Sequence, residues 1–316
     1  EEEFTTGFQE HVYMEPQGCL MTRENGVLTL YASTQCPFYL RKSIAHTLGW
    51  AEESIRVVQA HTGGGFGGKE HYPDVLATSL AVAVLKTGAP VQLILERHED
   101  MSFTPKRHPA RVAFRTAVDL AGNVLGMSID TLLNAGAYLT CSEVVLQRAV
   151  FSATGAYDIP NVEIRGRAMA TNTVPSDAFR GFGAPQALFA IELHMDHLAA
   201  AAGVEPLAYK RRYFLANGDA TVSGGTVHDE VLLETMLGRI EAVSCYSRRR
   251  VSMPPWSGIG MSFFNHGCGF TGSGEQKIIK GRVAIEKYGD GVVRILAAGV
   301  DMGQGIATTF RKVVAR

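Results

Sequence analysis

Five of the ten residues in HTGGGFGGKE, positions 61–70, are glycine. No other stretch restricts the fold as tightly. A backbone without Cβ atoms can turn sharply and bring its N–H groups against an anion, so these residues join two elements and belong to neither. The run IRVVQAHT before it is β-rich, and PDVLATSLAVAVLKT after it reads as a buried helix closed by Gly88. The expected unit is strand, glycine loop, helix. From Gly63, the spacing of Gly68 and Lys69 follows a nucleotide-phosphate loop up to its last position. There a Ser or Thr is needed to hold magnesium, and Glu70 would instead add negative charge beside the phosphates.

The rest of the chain has to build a core around this loop. Of 316 residues, 46% are hydrophobic and 19% charged, the balance of a globular protein long enough for two domains. Thirty basic residues against 31 acidic ones leave a net charge of −1. Neither nucleic acid nor an anionic membrane is therefore an expected partner, and any ligand must be recognised locally. The apolar run near residues 80–85 is too short to span a membrane. Cys19, Cys36, Cys141, Cys245 and Cys268 are scattered and form no CxxC, which predicts reduced thiols, a cytoplasmic location and no iron–sulfur cluster within this chain. The acidic start, EEEFTTGFQEH, lacks the basic and apolar parts of a secretory signal.

Periodicity predicts a mixed α and β chain. Helices are expected over residues 38–48, stopping at Gly49, over 187–203, from 206 to about 215, and over 228–242. Strands are expected from Val91 through Arg97, from Arg111 and from Val124, with a turn at 121–123 between the last two. SCYSRRRVSMPPW breaks the pattern and reads as a charged, proline-containing link. It divides a first domain, 1–252, from the start of a second, 253–316, which has a hairpin at Gly289-Asp290-Gly291. A unit of roughly 60 residues is small for its own core, so more chain is expected to complete it.

Two further glycine turns stand at element boundaries, DAFRGFGAPQ at 177–186 and DMGQG at 301–305. Three such loops suit one extended, oxygen-rich ligand. Taken in order, HVYMEPQ (11–17), STQ (33–35), GGGFGGKE, QRAVF (147–151), AFRGFGAPQ and MGQG resemble the molybdenum-binding part of the xanthine dehydrogenase and aldehyde oxidase family. The likeness extends from about residue 10 to residue 310.

The resemblance implies an α+β fold, the molybdopterin-binding domain of the xanthine dehydrogenase type. It implies molybdenum on molybdopterin, either plain or as the cytosine dinucleotide. Gln35 would stand near the metal's oxo ligand, with the backbone of Gly65, Phe66 and Gly67 on one side and that of Arg180 and Gly181 on another. Gln35, Phe66 and Arg180 would thus neighbour the metal without ligating it through side chains, and Gln304 would contact the pterin. Such donors hold oxo groups without adding charge.

Glu70 then matches the substrate-facing glutamate of the purine-hydroxylating branch, and Arg148 its partner arginine. With Gln35 they form the implied catalytic set, in which acid and base grip a flat heterocycle and stabilise charge on it. Phe182 would meet the ring, and Met261 falls where a second aromatic is expected. The family's base is a glutamate near the far C-terminus. Glu275, in GSGEQ, precedes MGQG and does not take that role. Another polypeptide, or the remainder of the molybdenum domain, is expected to supply the base, and electrons are expected to leave through 2Fe-2S and FAD subunits or domains. The implied reaction is oxidative hydroxylation of a purine such as xanthine, with water as the oxygen source. The alternatives are an aldehyde or another N-heterocycle such as nicotinate as substrate, a cofactor-free scaffold, and a phosphate-loop ATPase.

Other clusters read as structural. His194 and His197, three apart on a helix with Glu192, have metal-ligand spacing among alanines and leucines that favour a core role. His11 with Glu15, and His266 with Cys268, are weaker patterns of the same kind, and Arg248, Arg249 and Arg250 read as a solvated link or docking surface.

Overall fold

The computed structural model describes residues 1–267 and 281–316, so Cys268 and Glu275 lie outside the described residues. Two four-stranded sheets organise the first part of the chain. In the first, the order is β4 (Ile55–Gln59), β3 (Val27–Ala32), β2 (Gly18–Glu24), β5 (Val91–Ile94). Strands β2 and β3 form a hairpin turned by Asn25 and Gly26, both with positive φ (51° and 83°), as a two-residue turn requires. Strand β3 pairs with β4 in parallel, so helix α1 (Pro37–Leu48) must cross between them. It ends at Gly49 in the left-handed conformation. Helix α2 (Tyr72–Thr87) lies beside it, and Leu40, Ile44, Leu76, Leu80 and Val84 close over Met21, Leu28 and Leu30.

The second sheet has the order β1 (Glu2–Thr6), β6 (Ala110–Val118), β7 (Val124–Gly136), β8 (Val162–Ala170). Only β7 and β8 are parallel, and helix α4 (Ser142–Phe151) makes that crossover. Helix α5 (Ala184–Ala201) buries Ile191 and Met195 against Val112, Phe114 and Ile129. His194 and His197 place their Nδ1 atoms 2.6 and 2.7 Å from the two carboxylate oxygens of Glu2, which fastens β1 to α5. That contact gives the histidine pair a structural role. In both sheets the loops around the candidate site leave from the same kind of place, the junction between a strand and the helix that covers it.

Several elements depart from the periodicity. Strand β5 stops at Ile94 because Glu96 and Glu99 form a capping box that opens helix α3 (Arg97–Phe103). Helix α6 (Pro206–Arg211) ends before residue 215, since Asp158 and Leu215 donate to Tyr213 and Ala156 carbonyls and draw 213–215 into extended pairing. Helix α7 (Leu233–Ser244) starts five residues late, because Asn217 donates to the carbonyls of His228 and Asp229 and holds them in a loop. Part of the supposed link is helix α8 (Tyr246–Val251), on which Arg250 pairs with Glu205 at 3.0 Å. Strands β9 (Val283–Lys287) and β10 (Val293–Ala297) form the expected antiparallel hairpin, and helix α9 (Ile306–Val314) follows the DMGQG turn. No helix among the described residues is long and apolar enough to cross a membrane.

Gly183 and Gly88 separate two effects of a missing Cβ. Both have positive φ (90° and 69°), but a Cβ on Gly183 would meet the Val145 carbonyl at 2.2 Å, whereas nothing lies within 4 Å of one on Gly88. In urea unfolding, Gly88→Ala is expected to cost about 1 kcal/mol from backbone strain alone. Gly183→Ala is expected to cost a further ~1–3 kcal/mol from the clash.

Candidate functional site

The glycine loop is held from three sides. From below, Gln17 Nε2 donates to the Gly68 carbonyl at 2.7 Å. Gln17 is itself fixed through its backbone N–H to Asp100, and Asp100 also accepts from the Tyr13 hydroxyl at 2.6 Å. From the STQ turn, the Gln35 side-chain carbonyl accepts the N–H groups of Gly67 (2.9 Å) and Lys69 (3.3 Å), while the Gln35 N–H donates to the Lys69 carbonyl (2.8 Å). From the AFRGFG turn, the Arg180 N–H donates to the Phe66 carbonyl at 3.0 Å. Gln35, Phe66, Gly67 and Arg180, which sequence order separates by up to 145 positions, therefore meet in one hydrogen-bonded cluster.

Glycine is required where these turns touch. A Cβ on Gly65 would come within 2.4 Å of Gln35 Oε1, and one on Gly67 within 2.5 Å of the Ala178 carbonyl. The AFRGFG turn is braced on its outer side by His11, whose Nε2 lies 2.8 Å from the Ala178 carbonyl and whose ring stacks on Phe179. Arg107 donates to the Arg180 carbonyl at 3.0 Å, with its guanidinium 3.8 Å from the centre of the Phe179 ring.

Charge inside the cluster is paired. Lys69 is fully buried and donates to Glu15 and Ser33, each at 2.9 Å. Burial pulls the Lys69 pKa down, and the Glu15 contact opposes it. Glu70 comes off the end of the loop, where Gln35 Nε2 reaches it at 3.4 Å. Burial, with the nearby Asp177 charge, pushes the Glu70 carboxyl up to about 7. Asp177 is 2% exposed. Burial works against its ionisation, but the His71 contact at 3.1 Å and a hydrogen bond from Cys141 hold it below the usual carboxylate range.

The remaining expected residues stand further out. Arg148, on α4, lines a cleft of 760 Å³ with Tyr157, Asp158 and Val227, and its guanidinium is 6.0 Å from the centre of the Phe182 ring. Phe182 has φ of 51° and packs with Ala110, Leu133 and Val145. Gly181, with φ of 98°, lets the turn close over Pro185. Met261 is not brought to Phe182. It packs against the cluster of Leu233, Leu237 and Phe263 built by α7, whereas Phe182 packs in a different one. Gln304 closes its own turn, accepting from the Met302 N–H and donating to the Val300 carbonyl at 2.7 Å each. That turn reaches the glycine loop through Gln59, which donates to the Asp301 carbonyl (2.9 Å) and to Thr62 (3.1 Å).

The family model described as the molybdopterin cofactor-binding domain matches residues 1–214, and a second model of the same description matches residues 242–316. The chain belongs to the molybdopterin cofactor-binding family. It is 32% identical to aldehyde oxidase 2 of Cavia porcellus over all of its length, and 32% identical to xanthine dehydrogenase/oxidase of Rattus norvegicus over 99% of it. It spans about a quarter of the length of these relatives, 24% in each case. Among solved structures, the aldehyde oxidoreductase of Desulfovibrio gigas matches 96% of this chain and 33% of its own, with a TM-score of 0.83 and 27% identity. The quinoline 2-oxidoreductase of Pseudomonas putida 86 matches 99% and 42%, with 0.87 and 25%.

The cradle fits a molybdopterin group. Among the described residues, the N–H groups of Gly64, Gly65 and Phe66 donate to no protein acceptor, although their neighbours Gly63 and Gly67 do. Positive φ at Gly64 and Phe66, 92° and 55°, curls these amides into the kind of nest that receives oxygen atoms. Reading the sequence as motifs found the loops but missed their braces, Gln17, Asp100, Arg107 and Asp177. HVYMEPQ and DAFRG contain two of them, yet only their contacts reveal what they hold.

Gln35→Leu removes the acceptor that two loop amides share. The variant is expected to lose about 1–3 kcal/mol of stability. Hydrogen exchange at Gly67 and Lys69 is expected to quicken; unchanged protection there would mean that Gln35 does not hold the loop.

Proposed function

We propose that this chain forms the molybdenum-bearing half of an active site for oxidative hydroxylation of a purine. One observation carries the substrate class: the residue that ends the amide cradle is a half-buried carboxyl, Glu70, within 3.4 Å of Gln35, where an aldehyde site would favour an apolar side chain. Arg148 supplies the opposite charge beside the Phe182 ring. Together they offer one acceptor or donor and one fixed cation to the polar edges of a flat heterocycle, as an apolar pair could not. Bound molybdopterin would supply the oxygen transfer and accept two electrons.

The chain's own part is to hold and orient. Gln35 and the Gly64–Phe66 amides would hold the cofactor's oxygen-rich end, the amides around Arg180 and Gly181 its other side, and Gln304 the pterin. Phe182 would set the plane of the ring, and Glu70 would receive or donate a proton at its edge. The base, the 2Fe-2S and FAD carriers and the rest of the molybdenum domain would come from further chain or from partner subunits in a cytoplasmic complex. We take residues 253–316 as the opening of that second unit, which agrees with the exposed apolar faces of β9 and β10.

A second reading is favoured by the equal identity to an aldehyde oxidase and to a xanthine dehydrogenase: the substrate is an aldehyde or another N-heterocycle. Turnover of a panel of purines, aldehydes and nicotinate by the full-length protein separates the two. On the purine reading, Glu70→Gln and Arg148→Met each lower purine kcat/KM by about 10²–10³-fold and leave molybdenum content near that of the parent protein. Equal loss of molybdenum and turnover in both variants would sink the substrate assignment, and a parent protein that holds no molybdenum would make the chain a scaffold.

A further inference from the structure

Next to the cradle, three side chains that the proposed reaction does not use converge from three different elements. His71 precedes α2, Cys141 precedes α4, and Asp177 opens the turn that leads to α5. Their ligand atoms, His71 Nδ1, Cys141 Sγ and a carboxylate oxygen of Asp177, all lie within 4.8 Å of one another. We propose that His71, Cys141 and Asp177 form a zinc site with an open fourth position.

The separations suit that metal. Tetrahedral zinc, with bonds of about 2.3 Å to sulfur and about 2.0–2.2 Å to nitrogen or oxygen, holds its ligand atoms roughly 3.3–3.6 Å apart. Cys141 Sγ is 3.5 Å from His71 Nδ1, and His71 Nδ1 is 3.1 Å from Asp177 Oδ2. Two edges are shorter than that range: the His71–Asp177 Oδ2 separation, and the 2.8 Å from Cys141 Sγ to the other carboxylate oxygen, Oδ1, to which the thiol donates; an ion would spread both by a few tenths of an ångström. Zinc replaces that proton. The Cys141 S–H bond breaks and its proton passes to solvent; the hydrogen on His71 Nδ1 also leaves to solvent, and the ring stays neutral with its remaining hydrogen on Nε2; the new thiolate and the Asp177 carboxylate balance the two positive charges of the ion.

The ligands are also held for the task. The His71 ring stacks on Tyr39, with centroids 5.1 Å apart and planes within 17°. Asp177 accepts the Cys141 N–H as well, at 3.3 Å, and its own N–H donates to the Lys106 carbonyl at 3.0 Å. Supporting contacts of this kind fix the aim of metal ligands. An ion here would pin the starts of α2 and α4 and the turn before α5 to one point, beside Glu70. His, Cys and Asp make a borderline donor set that suits zinc better than magnesium or calcium.

The test uses the full-length protein, purified with the subunits that accompany it. It is dialysed against zinc chloride and then against metal-free buffer, and zinc is counted by mass spectrometry. Zinc K-edge absorption fine structure then reads the neighbours of zinc alone, whatever molybdenum, iron or flavin is present. The expected result is one zinc per chain with a single sulfur near ~2.3 Å and nitrogen or oxygen near ~2.0 Å. Cys141→Ser should lose the sulfur shell, and Asp177→Asn should weaken zinc binding by about tenfold or more. A parent protein that retains no zinc, or a sulfur shell that survives in Cys141→Ser, overturns the site and leaves the three residues as a hydrogen-bonded brace. Neither result depends on which substrate the enzyme takes.

Discussion

The absence of one Cβ, at Gly67, governs how the site is assembled. The Ala178 carbonyl occupies the space that a side chain there would need, 2.5 Å from the ideal Cβ position. Two turns, 111 positions apart at Gly67 and Ala178, can therefore meet backbone to backbone, and the Arg180 N–H reaches the Phe66 carbonyl. The same logic repeats at Gly65, which leaves room for the Gln35 amide. Because glycine carries no side chain, the contacts are made by main-chain groups whose positions are set by the two sheets. A cradle of that kind is rigid without being charged, which suits a ligand whose outer atoms are oxygens.

Charge is managed separately, one layer out. Lys69 is buried, yet it is paired with Glu15 and Ser33, so the loop gains an anchor and not a free cation at the ligand. Asp177 keeps its charge by holding His71 and Cys141. Glu70 is left with the weakest support, a long contact to Gln35, and with Asp177 nearby. Burial and the Asp177 charge then raise the pKa of this carboxyl. The result is an acid whose proton is easily gained or lost, placed at the end of an otherwise neutral cradle.

On the proposed function, fold and substrate would be decided by different residues. The cradle is made by glycines, main-chain groups and their braces, all within the part of the chain that the molybdopterin cofactor-binding model matches. On the proposed function the substrate end would rest on Glu70, Arg148 and Phe182.

Local chemistry made much of this legible in the sequence. The glycine loop, the long helices that end at Gly49 and Gly88, the strands from Arg111 and Val124 and the hairpin at residues 289–291 are each set by backbone preference or by a simple repeat of apolar side chains. The Asn25-Gly26 hairpin was equally open to reading from its turn pair. Tertiary structure alone decided the ends of α6 and α7, where pairing to distant carbonyls and an Asn217 side chain outweighs helical periodicity. It alone removed Met261 from the Phe182 ring, and it alone joined His71, Cys141 and Asp177, since nothing in their spacing marks them as neighbours. Sequence reports what a segment prefers by itself. Which loops face one another depends on how the two sheets and their covering helices pack, and that is a property of the whole chain.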